Sequence, residues 1–588
     1  MTNYAEDAEQ TSIEDWTQQS YIPGARTRRV QGVKVAAQVP QSRSLMLRRI
    51  CTTVISAALL ASCQASSQSN SPDVTARDSK AGTQSAWLSY HGDLTGRRYS
   101  ELKEITRENV GQLQLKWVFN SRKMWALGAP PVVVAGVMYL SVSNDLFAMD
   151  GLTGAVLWHH TRQDAAGAQN DESAHINRGI AVLSNRLYME TDDGHLLSLD
   201  ARSGNVLWEV PFDTDNVSYG GVSAPLAIPG KVIVGASGGR GVQAGFVAAF
   251  DAANGKELWR YTLRHNPVRN DSDSLTRSSR TPDESWMPGT YDPELNVIFE
   301  ESAAQACGTD VSVQTEDVQH GGCLLALDAQ IGKLKWQFPL PAEEKRSPAI
   351  SAVPMLVDIP LGEAGSKQVS DRKLIVAVQE NGFLTILDRA TGTLVLQRNL
   401  GTNSSFPGDS HWRRVSAAAR PTKQDDARSR CGAESESPSW NPPAYNELTN
   451  RFYFVEFENC RDNAVPVEAA HSAKGVISRL QPIGRSSLLL YDPSDDTWAW
   501  QDTSPSTDHA PSGLTTTASG LLLSGGRARS FEVADAVTGK VLWSFPLGQS
   551  PTGPPISYSI AGKQYFAIAA GKDLFVFGLP CVTPCQQE

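Results

Sequence analysis

Positive charge is not in excess in this chain: 53 Lys and Arg stand against 63 Asp and Glu, a net charge of −10 over 588 residues. A nucleic-acid footprint, which needs clustered basic charge, is thereby set aside. Long apolar runs are missing too, and the most pronounced one, Ile50 to Leu60, is too short to span a bilayer comfortably. C-x-x-C-H does not occur, so the chain carries no c-type haem of its own, and the absence of paired C-x-x-C units makes a zinc ribbon a weak reading. The ten histidines are scattered, and no Ser/His/Asp or His-cluster motif offers a nucleophilic or hydrolytic site.

With 40% hydrophobic residues, the chain can bury a large core, as one repeat architecture or as several domains. Near the start, Met46-Leu47-Arg48-Arg49 gives a basic region, Ile50 to Leu60 an apolar one, and "LASC" a small-residue ending at Cys63. This is the pattern of an export signal, and its ending is like a bacterial lipoprotein box, in which Cys63 is lipidated and becomes the first mature residue. A periplasmic protein tethered to the membrane is expected, the other reading being a plain secretory signal with an incidental cysteine. Residues 1–45 form a polar extension that sits awkwardly before a signal, which raises Met46 as the start. Residues 64–84, rich in Ser, Gln and Asp, read as a disordered linker.

Six further cysteines, Cys307, Cys323, Cys431, Cys460, Cys581 and Cys585, make an even number suited to an oxidising compartment. On loop length, neighbours in sequence are the preferred partners: Cys307 with Cys323, Cys431 with Cys460, and Cys581 with Cys585.

An eleven-residue pattern recurs through the rest of the chain: Asp in its third position, Gly four residues on, Trp four beyond that. It reads "AMDGLTGAVLW" to Trp158, "SLDARSGNVLW" to Trp208, "AFDAANGKELW" to Trp259 and "ALDAQIGKLKW" to Trp336. Weaker copies are "ILDRATGTLVL", with Leu396 for Trp, "LYDPSDDTWAW", with Asp496 for Gly, and "VADAVTGKVLW" to Trp543. Each is a hairpin in which Asp caps the turn and Gly supplies a positive φ. Four short strands per unit, about 50 residues apart, make propeller blades. Seven copies and a C-terminal set of strands predict an all-β, eight-bladed propeller over residues 85–588, its tryptophans docking blade on blade. Rings of this kind close with a strand from the opposite end of the chain, for which "WLSYHGDLTGRRYSEL" is the candidate. The stretches Thr402 to Trp440 and Asn459 to Arg485 interrupt the blade rhythm and are expected to decorate one face.

Together with the repeat, "RRYSELKEITRENVGQLQLKW", "INRGIAV", "SWMPGTYDPELNVIF", "NGFLTILDRATG", "WNPPAYNELTNRFYF" and "TGPPISYSIAGKQYFAI" make the chain resemble the quinoprotein alcohol dehydrogenases from about Trp87 to Leu579. The resemblance implies an oxidoreductase with pyrroloquinoline quinone (PQQ) at the propeller axis. It also implies a Ca²⁺ or lanthanide ion on the quinone and an Asp that takes the alcohol proton. Carried over position by position, the family's metal ligands and base do not reappear. Arg240 stands for the Glu ligand, Ala303 for the Asn and Ser347 for the catalytic Asp, with Ala349 where lanthanide-type members add an Asp. Glu380 replaces the basic residue before "NGF", Gly128 the early Glu, and Glu172-Ser173 the vicinal cysteines.

Bound Ca²⁺ is therefore not expected, while PQQ remains possible. Arg178 would pair with a PQQ carboxylate, Thr191 would hydrogen-bond it, and Trp286 would stack beneath the ring; packing or hydrogen bonding within the propeller is the competing role for each. Arg240 would replace the metal's charge, and Glu344, then Glu343, Glu300 or Glu301, would serve as base. Three functions stay open: an altered quinoprotein dehydrogenase using a small alcohol and an external electron acceptor; a non-catalytic propeller lipoprotein that binds an envelope protein or acts as a scaffold; and, with no motif in its support, an enzyme of different chemistry in the same funnel.

Overall fold

A computed structural model describes residues 86–162, 177–212, 223–236, 245–263, 289–302, 320–341, 353–362, 369–379, 383–399, 439–440, 442–459, 484–494, 497–506, 512–525 and 529–580. All of them fall within one compact unit, Asn70–Glu588. The described residues are almost entirely strand, with one short 3₁₀ turn at Val110–Gln112. They form eight antiparallel sheets arranged as the blades of a propeller. Within a blade the strands are lettered A to D in order from the axis outward.

Blade 1 shows the rule. Val132–Val134, Val137–Val142, Asp145–Asp150 and Val156–His160 pair in sequence as A, B, C and D. Strands B and C are buried along nearly their whole length, while D alternates between exposed and half-buried residues, as an outer strand with one covered face does. A strands of neighbouring blades touch one another, which places them around the axis. The core lies between blades. One cluster joins Tyr139, Leu146 and Ala148 of blade 1 to Leu187, Met189 and Leu197 of blade 2.

The repeat explains this packing atom by atom. Asp150 Oδ1 accepts the amides of Leu152 (3.0 Å) and Thr153 (2.7 Å), capping the C–D turn. Gly154 then turns with φ +75°, and Gly204 of the next blade with φ +70°. The tryptophan of one blade lies over the glycine of the next: a Cβ on Gly204 would come 2.6 Å from the Trp158 ring, and one on Gly255 would come 2.7 Å from Trp208. Trp158 Nε1 donates to Ala201 O at 3.1 Å, and Trp259 Nε1 to Ala329 O at 3.2 Å, so each indole is pinned to the following hairpin. A tyrosine from strand B reaches the same carbonyl, as with Tyr139 Oη to Ala201 O at 3.0 Å.

The ring closes differently from the sequence-based expectation. Blade 8 takes its A, B and C strands from Ile556–Ile560, Lys563–Ala570 and Asp573–Gly578, and its D strand is Gln114–Asn120. The closing strand is thus "QLKWVFN" and not "WLSYHGDLTGRRYSEL". Trp117 takes the place of the repeat tryptophan, its ring 2.6 Å from where a Cβ on Gly154 would stand. The physical reason is that only Gln114–Asn120 offers the alternating outer strand with an indole at the docking position.

The segment expected to close the ring crosses it instead. Trp87 exchanges backbone hydrogen bonds with Val133 of blade 1. Further along, the carbonyls of Leu94, Thr95, Arg97 and Arg98 accept amides of Tyr291 (blade 4), Leu356 (blade 5), Tyr445 (blade 6) and Thr516 (blade 7). Only Tyr99–Ser100 lies along a sheet, parallel to Gly513–Thr517 of blade 7. Arg98, fully buried, anchors the crossing by donating to Tyr90 O (2.7 Å), Leu514 O (2.6 Å), Pro555 O (2.9 Å) and Thr515 Oγ1 (3.2 Å). No carboxylate offsets its charge in this set, and burial pulls its pKa down to about 10.

Candidate functional site

Strand A of every blade is antiparallel to B, so the start of A, the end of B and the B–C turn gather at one axial end of the ring. Blades 1 and 2 show how closely. The Asn144 side chain donates to Asp192 Oδ1 at 2.6 Å and accepts the Asp192 amide at 3.1 Å, which ties the two B–C turns together. Beside them buried Asn177 accepts from Ser141 Oγ (2.8 Å) and the Gly179 amide (2.9 Å), and donates to Glu190 O (3.2 Å). Arg178 is therefore held between two fixed neighbours at the entry to strand A of blade 2, half-buried. Tyr90 of the crossing segment lies against this entry, 3.9 Å from where a Cβ on Gly179 would stand.

Thr191 is fully buried, and its hydroxyl works within its own turn. It donates to Asp193 Oδ1 at 2.5 Å and accepts the His195 amide at 3.1 Å. That is a turn-stabilising arrangement, which leaves the hydroxyl little capacity for a ligand.

At the ends of strand B in blades 2 and 4 stand three glutamates, Glu190, Glu300 and Glu301, each at most 4% exposed. Neither oxygen of Glu190 or of Glu301 has a hydrogen-bond partner. Burial, and then the neighbouring Glu300, push the pKa of Glu190 well above the carboxylate range; the Ser223 amide of blade 3 opposes the shift without reaching hydrogen-bond geometry. Burial and Glu300 act on Glu301 in the same sense. Glu300 packs on Gly289, where even a Cβ would overlap its carboxyl. Glu300 and Glu301 were visible in the sequence as candidate bases, whereas Glu190 was not, because "RLYME" looks like any strand. Its signal was an acidic side chain where the repeat demands burial.

Arg240, Trp286, Glu343, Glu344, Ala303, Ser347 and Cys63 lie outside the described residues, as do Cys307, Cys431, Cys460, Cys581 and Cys585. Cys323 is buried and disulfide-bonded. Among the described residues no group of three His, Cys, Asp or Glu side chains could hold a metal ion. Against PQQ the fit is partial: Arg178 is a half-buried cation of the type suited to a carboxylate, and Thr191 is committed elsewhere. A hard divalent ion does not fit the described residues, since the buried glutamates do not converge as an oxygen cage.

Comparison with known proteins agrees with this architecture. A quinohemoprotein alcohol dehydrogenase of Comamonas testosteroni is 28% identical over 532 residues, covering 82% of this chain and 72% of its own. The lanthanide-dependent methanol dehydrogenase of Methylacidiphilum fumariolicum is 27% identical, covering 82% of this chain and 84% of its own. Among solved structures, the quinohemoprotein alcohol dehydrogenase ADHIIG of Pseudomonas putida superposes with a TM-score of 0.64 at 21% identity, over 86% of this chain and 82% of that one. A europium-containing methanol dehydrogenase superposes with a TM-score of 0.61 at 22% identity, over 84% and 98%. The family model for the glucose/ethanol/alcohol dehydrogenase β-propeller domain (PQQ) matches residues 87–413, more than half of the chain, and the protein belongs to that family.

Proposed function

We propose that the chain is a periplasmic, lipid-anchored, PQQ-dependent alcohol dehydrogenase-like oxidoreductase with an altered site that works without the family's metal. The observation that carries this reading is the family match over an eight-bladed ring whose axial end holds Arg178 between Asn177 and Gly179. Arg178 would bind a cofactor carboxylate, and PQQ, when bound, supplies a two-electron acceptor for the hydride of an alcohol. The chain's own residues would orient the ligand and exclude water, with electrons passing on to an external acceptor. Glutamates stand at this end of the described blades, and a glutamate has the chemistry of a general base when ionised.

A second reading is favoured by one observation. Thr191, a residue the family would turn toward the cofactor, spends its hydroxyl on its own turn. It is that of a propeller without redox chemistry, serving as a binding or scaffold lipoprotein in the cell envelope.

One reconstitution separates them. The exported domain is mixed with PQQ, with and without Ca²⁺ or a lanthanide, and retained cofactor and dye-linked oxidation of an alcohol panel are measured. The dehydrogenase reading expects stoichiometric retention without metal, lost in Arg178→Ala and in Arg240→Glu. No stoichiometric retention under any condition overturns it in favour of the binding propeller.

A further inference from the structure

The buried glutamates raise a question separate from cofactor loading. A carboxylate taken out of water without a partner costs far more than a neutral acid, so a carboxyl with no hydrogen bond at either oxygen is stable there only with its proton. Glu190 and Glu301 both meet that description. They stand in different blades, yet each feels Glu300. Three acids thus share one electrostatic neighbourhood at the axial end, and ionising any one makes the next harder to ionise.

We propose that Glu190 and Glu301 form a proton-dependent lock at the B-strand ends of blades 2 and 4, which stays packed while both are protonated and loosens when either is ionised. Among the described residues, the groups that face the pair are few. Glu190 meets Glu300 from blade 4 and the Ser223 amide from blade 3, and Asn177 holds its own carbonyl. Glu301 meets Glu300, while its backbone pairs with Leu324. Among the described residues no cation forms an ion pair with Glu190 or Glu301. Blade 3 packs against both of their blades, and a negative charge at either buried carboxyl must draw in water or move its surroundings.

The direction with pH follows. In the unfolded chain both groups titrate near the ordinary glutamate value of about 4.3, while in the folded ring they keep the proton to higher pH. Between those values the folded state holds more protons than the unfolded one, so stability is full below about pH 4 and declines as pH rises through the folded values. This is opposite to the usual contribution of a salt-bridged carboxylate.

The test uses the full exported domain without added cofactor. Thermal unfolding is followed from about pH 5 to about pH 9 for the wild type, Glu190→Gln, Glu301→Gln and the double variant. The lock expects Tm of the wild type to fall by several degrees more over this range than that of the double variant, with each single variant between them. In parallel, infrared spectra of the wild type at neutral pH should show a protonated-carboxyl carbonyl band that bleaches as the pH rises. An identical pH slope in wild type and double variant overturns the proposal. So does the absence of the carboxyl band, a readout that holds even if a variant fails to fold. Neither measurement depends on PQQ, so failure of the dehydrogenase reading leaves this outcome distinct.

Discussion

At the scale of single residues, the repeat is a contact between two side chains that are far apart in sequence. Gly204, Gly255, Gly332 and Gly392 all have positive φ, and each sits under the tryptophan of the preceding blade. Both constraints act on the same atom, since a Cβ there is strained by the backbone and blocked by the indole. Gly255→Ala should therefore cost about 2 kcal/mol or more, seen as a lower denaturant midpoint with an unchanged m-value. The same logic applies to an imperfect copy. The fifth copy departs at Leu396, which stands where the repeat has Trp. There Leu396 packs at the edge of a cluster that joins Met355 and Leu384 to Tyr445 and Phe452. Arg98 is the other residue whose loss should be severe. Arg98→Met strips donors from the carbonyls of Tyr90, Leu514 and Pro555 at once, for a loss of about 3 kcal/mol or more in chemical denaturation. Arg98→Lys should recover only part, because one ammonium cannot reach three carbonyls that a planar guanidinium spans.

At the scale of elements, the N-terminal part of the described chain does two separable jobs. Residues 87–100 cross the ring, and Gln114–Asn120 completes blade 8. The intervening turn packs Ile105, Val110 and Leu113 against Leu521, Phe531 and Phe566. Truncation can tell the jobs apart. A chain beginning at Ile105 keeps the closing strand and should show native strand content by circular dichroism, with a lower Tm and a broader transition. A chain beginning at Lys123 lacks the closing strand, leaves Asp573–Gly578 as an open edge, and should not unfold cooperatively. Equal behaviour of the two truncations would mean that the crossing segment, and not the closing strand, holds the ring.

At the scale of the whole molecule, fold and site were legible to different degrees. Hairpin positions and the docking tryptophans of seven blades followed from one eleven-residue pattern, because each repeat meets the same neighbour in the same way, and the C-terminal strands supplied the eighth blade. Glu300 and Glu301 were legible as acids near the end of a strand. Their burial, and the influence of Glu300 on Glu190 across blade 3, were not, because nothing in "RLYME" or "IFEES" says that two strands some 110 residues apart both carry buried acids at one end of the ring. The strand that closes the ring could not be chosen from sequence either, since two N-terminal segments had the length for it. By itself, then, the sequence determined an eight-bladed ring stitched by Trp-on-Gly contacts and pointed to the family to which the chain belongs. Only the tertiary structure decided that Gln114–Asn120 closes that ring, that residues 87–100 cross it, and that three glutamates are buried at the ends of the B strands of blades 2 and 4. Local pattern dictates contacts repeated at a fixed spacing, whereas contacts made once, around an axis that exists only after all eight blades assemble, are set by the closed ring.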